Sequence, residues 1–536
     1  MTEPSSAATL LDCLEARAHT SSEVEATRFE GRSLTFGRLW HEINGVAATL
    51  VEHGLIPGGR VVLVYPNGPD FFAAFYGVQR AGGVAVPIFP DSGVERVVDI
   101  ASHCGATAVL TSDLLPEARR HEVLSLGAAK GITALSSTGC SATSTSPDFP
   151  APDPERVAYL QYTSGSTGNP KGVQLTHRDL VTNIHQMIAG FEITKDDVFV
   201  SWLPVSHDMG LILMTMTPLL LAARMVLMPT SVGSIRRWMT TIAEHRGTFT
   251  AAPDFAYRIA LRTAPTQDAL DLGCLRVALN AAEPVRAGTI AAFEAHFGLG
   301  PTIVPAYGLA EATVGVAGRR PGAPIRIDGR GLVSVGKPFP GVELEIHGDS
   351  GPIDRGEIGE IVVRSPAATS GYFRNPEATA KLFDADGGIR TGDLGYLDDD
   401  GELTIVGRKK SIIIQAGRTI APQEIEETVD ELAFVRRSAA VGIDRGGAEG
   451  EQAWIFVELR PADAVRVKKH TEMVVEVVRA IRNRLGHRPG RVYLVRARTI
   501  PTTHNGKVQH LRLRRDYLEG TLRADGRIVY PVHRTS

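Results

Sequence analysis

The segment from Arg60 to Pro90 constrains the fold more than any other stretch. Arg60–Tyr65 (RVVLVY) is an apolar run bounded by Gly59 and Pro66, and Val84–Pro90 is a second short apolar run. Between them, Phe71–Ala81 has the length of a helix. Strand, helix, strand, with strands that are apolar throughout, predicts a parallel sheet with crossover helices, because a strand covered on both faces has no reason to alternate. The pattern resumes at Val157 and runs to about Pro321. From Gly336 to Val406 it gives way to short strands and turns such as Asp398-Asp399-Asp400-Gly401. The segment from Ser411 onward has its own helical stretches, Pro422–Leu432 and Thr471–Leu485. Ser136–Pro154, rich in Ser, Thr and Pro, reads as a surface loop or linker. A chain of 536 residues exceeds one core, so an α/β protein of two or more domains is expected.

Composition removes several classes of function. The formal net charge of −3 gives no broad cationic field, which argues against nucleic acid as the main partner; it leaves room for a local basic patch around Arg408, Lys409 and Lys410. Cys13, Cys104, Cys140 and Cys274 are scattered without metal-ligand spacing, which fits a reducing cytoplasm and no zinc site. The Met1–Ser6 start lacks the basic and apolar regions of a signal peptide. Gly210–Arg224, the most apolar run, contains Pro218 and falls short of the ~20 residues of a membrane span, so it reads as buried core.

The strongest chemical signal is Tyr162-Thr163-Ser164-Gly165-Ser166-Thr167-Gly168-Asn169-Pro170-Lys171-Gly172. Glycines let backbone N–H groups approach an anion, small hydroxyls add donors, and Lys171 adds a point charge. It is not a Walker loop: Pro170 stands where the second glycine is required. The segment resembles the signature of the adenylate-forming superfamily, which includes acyl- and aryl-CoA synthetases, peptide-synthetase adenylation domains, luciferases and fatty acyl-AMP ligases.

Further motifs follow in that superfamily's order. Trp202-Leu203-Pro204 leads into Ser206-His207-Asp208-Met209-Gly210-Leu211, where similar enzymes place a His against the substrate carboxylate; the alternative is a structural His held by Asp208. Phe249–Tyr257 (FTAAPDFAY) and Asn280-Ala281-Ala282-Glu283-Pro284 resemble the fatty acyl-AMP ligase branch, and Ala281, Ala282 and Glu283 would border the adenine. In Tyr307-Gly308-Leu309-Ala310-Glu311 the ring offers adenine a stacking face and Glu311 is a hard oxygen ligand for Mg²⁺, with Thr167 as the second metal residue. Ala310 replaces the more usual Thr and receives no role. Arg390-Thr391-Gly392-Asp393 is similar to the motif whose Asp binds both ribose hydroxyls. Gly407-Arg408-Lys409-Lys410 resembles the hinge, with Arg408 on the ribose and Lys410 as the pivot. Pro501-Thr502-Thr503-His504-Asn505-Gly506-Lys507 resembles the loop that carries the catalytic lysine.

The resemblance implies a large N-terminal adenylation domain, residues 1–409, of parallel and mixed sheets with flanking helices and a β-rich subdomain. A small mobile α+β lid, residues 410–536, follows it. It also implies the reaction. ATP and Mg²⁺ are held by Thr163, Ser164, Gly165, Ser166, Thr167, Gly168, Lys171, Tyr307, Gly308, Glu311, Asp393 and Arg408. A carboxylic acid, fatty or otherwise large and apolar, attacks the α-phosphate, with Lys507, His207 and Thr163 as the catalytic residues. A cation between the two anions offsets their repulsion. The acyl group then passes to a thiol of CoA or of a carrier protein. Fatty acyl-AMP ligases typically carry an insertion after the Tyr-Gly-Leu-Ala-Glu motif that discourages transfer to CoA. Here Ser334-Val335-Gly336-Lys337-Pro338 follows too soon for it, whereas Gln415–Arg418 and Ala421–Glu424 look like the ligase branch, and both acceptors stay open. The alternatives are an aryl- or small-acid-CoA ligase and a stand-alone or non-catalytic adenylate-binding protein of the same fold. The acid, the pathway and the oligomeric state are not readable from the sequence.

Overall fold

The computed structural model describes residues 8–137, 140, 148–163, 171–265, 270–415, 418–444, 451–502 and 508–531. The chain packs as two compact units: one of residues 1–325, 335–345 and 362–391, the other of residues 326–334, 346–361 and 392–536.

The first unit holds two sheets built on apolar strands. In one, the strands run in the order Thr133–Ser136, Ala108–Thr111, Arg60–Val64, Val84–Ile88, Val157–Thr163, Lys171–Thr176. All neighbours are parallel except the last pair. The expected strand–helix–strand near the N-terminus is there, its helix spanning Pro69–Arg80 with proline in the first turn, where its missing N–H costs nothing. The second sheet places Glu25–Phe29, Arg224–Leu227, Val198–Ser201, Phe249–Ala252, Val277–Asn280 and Ile303–Tyr307 side by side and parallel. Antiparallel strands Arg32–Thr35 and Ala317–Gly318 flank this block. Val198–Ser201, Phe249–Ala252 and Val277–Asn280 are buried at every residue, as two-sided cover demands. The apolar Gly210–Arg224 run is core, as its composition implies, but Met209–Met216 takes the wide π-helical form before a short α-helix at Thr217–Leu221.

In the second unit, Val435–Asp444, Glu451–Leu459, Arg491–Val495 and Ile528–Tyr530 form a four-stranded mixed sheet. Successive residues of the Glu451–Leu459 strand feed opposite faces: Trp454 and Phe456 pack with Tyr493 and Leu513, while Ile455 and Val457 pack with Ile425, Val477 and Ile481. The helices Pro422–Asp430 and His470–Leu485 match the expected pair. The unit is α+β. In this unit Asp393–Leu397, the later part of the strand Ile389–Leu397, pairs with the strand Leu403–Arg408 in a hairpin across the expected Asp398–Gly401 turn, where Gly401 N donates to Asp398 O at 2.9 Å. Among the described residues no helix is long and apolar enough to cross a membrane.

Candidate active site

Four adjacent parallel strands end at four of the motifs. Val198–Ser201 runs into Trp202-Leu203-Pro204, Phe249–Ala252 into Pro253-Asp254, Val277–Asn280 into Ala281–Pro284, and Ile303–Tyr307 into Gly308–Glu311. In open α/β sheets the carboxyl ends of parallel strands are where ligands bind, since chain connections there leave a crevice. The motifs are distant in sequence and share one sheet edge.

Each motif is locked by buried polar groups. Asn67 donates to Leu203 O and Met228 O at 2.8 and 2.9 Å and accepts from Val205 N at 3.0 Å, fixing the Trp202–Pro204 turn. His207 Nδ1 lies 2.6 Å from Asp208 Oδ1, which also caps the π-helix by accepting from Met209 N at 2.7 Å. The His207–Asp208 pairing foreseen as the structural alternative is therefore present. Asp254, only 1% exposed, accepts from Asn280 Nδ2, Arg286 N and Thr289 Oγ1 at 3.1–3.2 Å, tying the 253–257 motif to the 280–284 motif. Glu283 accepts from Phe255 N; burial, then the neighbouring Asp254 carboxylate, pushes its pKa up. Ala282 has a left-handed backbone, φ +69°. Gly308 is required by contact: a Cβ there would stand 1.6 Å from Val314 O.

The Ser/Gly loop closes a hairpin. Val157–Thr163 pairs antiparallel with Lys171–Thr176, and Thr163 faces Lys171 across the last rung. Ser164, Gly165, Ser166, Thr167 and Gly168 lie outside the described residues, and Thr163 is described through its backbone alone. After the second strand, Thr176 and Asp179 form a reciprocal capping pair, Asp179 N to Thr176 Oγ1 at 3.1 Å and Thr176 N to Asp179 Oδ2 at 2.8 Å, which starts the helix His177–Phe191. Lys171 Nζ stands 4.8 Å from the centre of the Tyr372 ring, and Tyr372 Oη donates to Glu311 Oε1 at 2.6 Å. Lys171 and Glu311, the candidate phosphate and metal residues, are thus bridged by one tyrosine. Glu311, a carboxylate on the single turn Ala310–Ala312, fits the hard-oxygen demand of Mg²⁺.

In the second unit, Asp393 faces Arg408 across the hairpin, and their side chains form an ion pair at 2.8 Å. Asp393 is buried and Arg408 exposed. Lys409 pairs with Glu360 at 3.1 Å, so the basic run at 408–410 is not an open cationic patch: two of its charges are matched by local carboxylates. Lys410 is exposed in a tight turn in which Ser411 N donates to Arg408 O at 2.9 Å. Lys507 lies outside the described residues; the flanking Thr502 and Val508 pair as an antiparallel bridge.

Asn67, Asp254 and Tyr372 were given no role by sequence reasoning. Asp254 lies inside a recognised motif, whereas Asn67 and Tyr372 are far in sequence from what they hold, 136 residues from Leu203 and 61 from Glu311. A cavity of about 410 Å³, lined by Arg60, Gln79, Val84, His177 and Phe373, belongs to the other end of the first sheet, where Arg60, Val84 and Val157 begin their strands. It is not the motif-bearing edge.

Residues 14–373 match the family of AMP-binding enzymes, and the chain belongs to that family. It is an adenylate-forming ligase. It is 32% identical over 581 residues to a medium-chain-fatty-acid–acyl-carrier-protein ligase of Moorena producens, an alignment covering 96% of each chain. It is 32% identical over 530 residues to a long-chain-fatty-acid–AMP ligase of Mycobacterium marinum, covering 89% of this chain and 90% of that one. Among solved structures it is similar to one from work on the fatty acyl-adenylate ligases of E. coli and L. pneumophila, with TM-score 0.86, 26% identity, and 97% and 99% of the two chains covered. It also matches the L. pneumophila fatty acyl-adenylate ligase in complex with acyl adenylate and pyrophosphate, with TM-score 0.73, 26% identity and coverage of 99% and 98%.

Proposed function

We propose that this chain condenses a fatty acid with ATP to give acyl-AMP and pyrophosphate, then passes the acyl group to the phosphopantetheine thiol of a carrier protein. The observation that carries the adenylation is the Lys171–Tyr372–Glu311 cluster at the base of the Ser/Gly loop, which gathers a cation and a metal-binding carboxylate where a triphosphate needs them. The relatives named as fatty-acid ligases support the acid and the acceptor.

Each assigned residue has one task. Tyr307 offers adenine a stacking face; Asp393, held by Arg408, accepts from the ribose hydroxyls; Ala281, Ala282 and Glu283 border the base. Gly308 keeps the backbone beside Tyr307 close to Val314. Thr163, Ser164, Gly165, Ser166, Thr167, Gly168 and Lys171 hold the β- and γ-phosphates, and His207 orients the incoming carboxylate. Lys507 stands between that carboxylate and the α-phosphate and offsets their repulsion. A magnesium ion held by Glu311 and Thr167 would neutralise charge on the triphosphate.

CoA is the second reading for the acceptor, and one observation favours it. Strands Ala317–Gly318 and Ser334–Pro338 pair directly, Ala317 with Pro338 and Gly318 with Lys337, and residues 319–333 between them hold one isolated bridge, Ile327 with Val333, and no inserted subdomain.

The test is pyrophosphate release across fatty acids of increasing length, benzoate and acetate, followed by mass spectrometry with CoA and with a phosphopantetheinylated carrier protein. Fatty acids should release pyrophosphate and AMP and load the carrier protein. Acid-independent release, or ADP as product, sinks the adenylation reading; loading of CoA alone replaces the acceptor.

A further inference from the structure

The geometry points to Tyr372 as a positioning residue that ties the phosphate-loop lysine to the metal-binding carboxylate, so that Lys171 and Glu311 are set by one side chain. The inference rests on the reading above in which both residues face ATP.

The backbone that presents Tyr372 is clamped on two sides. Toward the hairpin, Tyr372 bridges Val173, Phe373 N donates to Gly172 O at 2.8 Å, and Gln174 N donates to Gly371 O at 3.1 Å. Toward the Glu311 turn, Thr369 N donates to Glu311 O at 2.9 Å, while its hydroxyl donates to Gln174 O at 2.6 Å. Gly371 holds φ +133°, and a Cβ there would stand 2.4 Å from Thr379 Cγ2; Tyr372 N donates to Thr379 Oγ1 at 3.0 Å. Tyr372 is 8% exposed. Its ring therefore has little freedom.

The two contacts reinforce each other. A phenol that donates to a carboxylate gains electron density on its oxygen and ring, which strengthens the negative face that holds an ammonium. In return, a cation on the ring face makes the O–H a better donor. The hydroxyl occupies Oε1 of Glu311 and fixes the carboxylate rotamer, the role that outer-shell partners play for metal ligands. Removing such a partner typically costs about 10–100-fold in metal affinity.

Calorimetric titration of the full chain with ATP, with and without Mg²⁺, separates these effects. Tyr372→Phe keeps the ring and loses the hydroxyl. It should bind metal-free ATP only slightly more weakly than wild type, since the ring that holds Lys171 remains, but lose on the order of tenfold of the Mg²⁺ enhancement. Its apparent KM for Mg²⁺ should rise, with kcat recovered at saturating Mg²⁺. Tyr372→Leu should weaken metal-free ATP as well, because Lys171 loses its platform. A purely structural role would instead lower the thermal midpoint and kcat and leave the Mg²⁺ enhancement alone. Glu311→Gln is the reference. If it loses the Mg²⁺ enhancement while Tyr372→Phe keeps it, the tyrosine link is overturned and the metal assignment stands. If Glu311→Gln keeps the enhancement too, the metal assignment fails and the link fails with it.

Discussion

His177 is the first residue of the helix His177–Phe191, is buried, and has no hydrogen-bond partner for Nδ1 among the described residues. Burial pushes its pKa down from 6.5 to about 4, against the smaller opposing pull of Asp12 and Asp153. A depressed histidine means that the unfolded chain binds more protons between those two values. Its contribution is therefore complete above the unfolded pKa and is lost as pH falls toward about 4, by roughly 3 kcal/mol at 1.36 kcal/mol per unit. The urea midpoint of wild type should fall more steeply than that of His177→Gln between neutral pH and about pH 4. Parallel slopes for the two proteins would show that the imidazole titrates alike in the folded and the unfolded chain, so that burial does not depress it. At this scale chemistry and stability diverge: His177 faces the cavity away from the motif edge, and its effect is on folding.

The turn Trp202-Leu203-Pro204 and the π-helix Met209–Met216 form one element with His207 and Asp208 at the joint. All eight helix residues are buried, and the wider coil aims Met, Leu and Ile side chains into the core in a register that an α-helix would not give. Gly210 permits the tight entry, since a Cβ would meet Pro204 O at 2.2 Å. Asn67, 2% exposed, anchors the element through its three hydrogen bonds. Asn67→Ala strands two buried carbonyls and one N–H, each worth about 1–3 kcal/mol when unsatisfied. We expect a loss of about 2–4 kcal/mol in denaturant titration, together with a fall in acid-dependent pyrophosphate release as His207 loses its mount. Asn67→Asp, which retains the acceptor for Val205 N, should keep part of that stability. An Asn67→Ala protein of wild-type stability would mean that water replaces the amide at no cost.

At the scale of the whole molecule, the chain has two compact units, with Lys171, Glu311 and Tyr307 in the first and Asp393, Arg408 and Lys410 in the second. The proposed lid boundary at 409/410 falls in the turn that follows the strand Leu403–Arg408. If residues 410–536 reorient between the two half-reactions, Lys410 must absorb the backbone change. Proline fixes φ and restricts the residue before it, so Lys410→Pro should leave adenylation largely intact and reduce thiol transfer by at least an order of magnitude. Lys507→Ala should do the reverse, abolishing acyl-AMP formation while transfer from supplied acyl-AMP survives. Separate assays of the half-reactions check both. Equal damage to both steps in both variants would sink the division of labour.

What the sequence determined by itself is what short-range physics encodes. Runs such as Val61–Tyr65 must be buried because their side chains are apolar throughout, and the Ser/Gly loop and Glu311 supply residue types suited to an anion and to a hard metal ion. Helix and strand boundaries near Arg60, Val84, Val157 and Pro422 follow from the same local rules. Strand order was decided only by tertiary structure: nothing local tells Val198–Ser201 to lie beside Phe249–Ala252 and so align four motifs on one edge. The π-helix likewise arises because a buried segment in which only Thr215 is polar has no amphipathic period to fix its pitch, leaving packing to choose. Tyr372 and Asn67 carry no local mark for the same reason: their partners are contributed by strands and turns far along the chain, and a hydrogen bond between distant residues exists only once the sheet has brought them together.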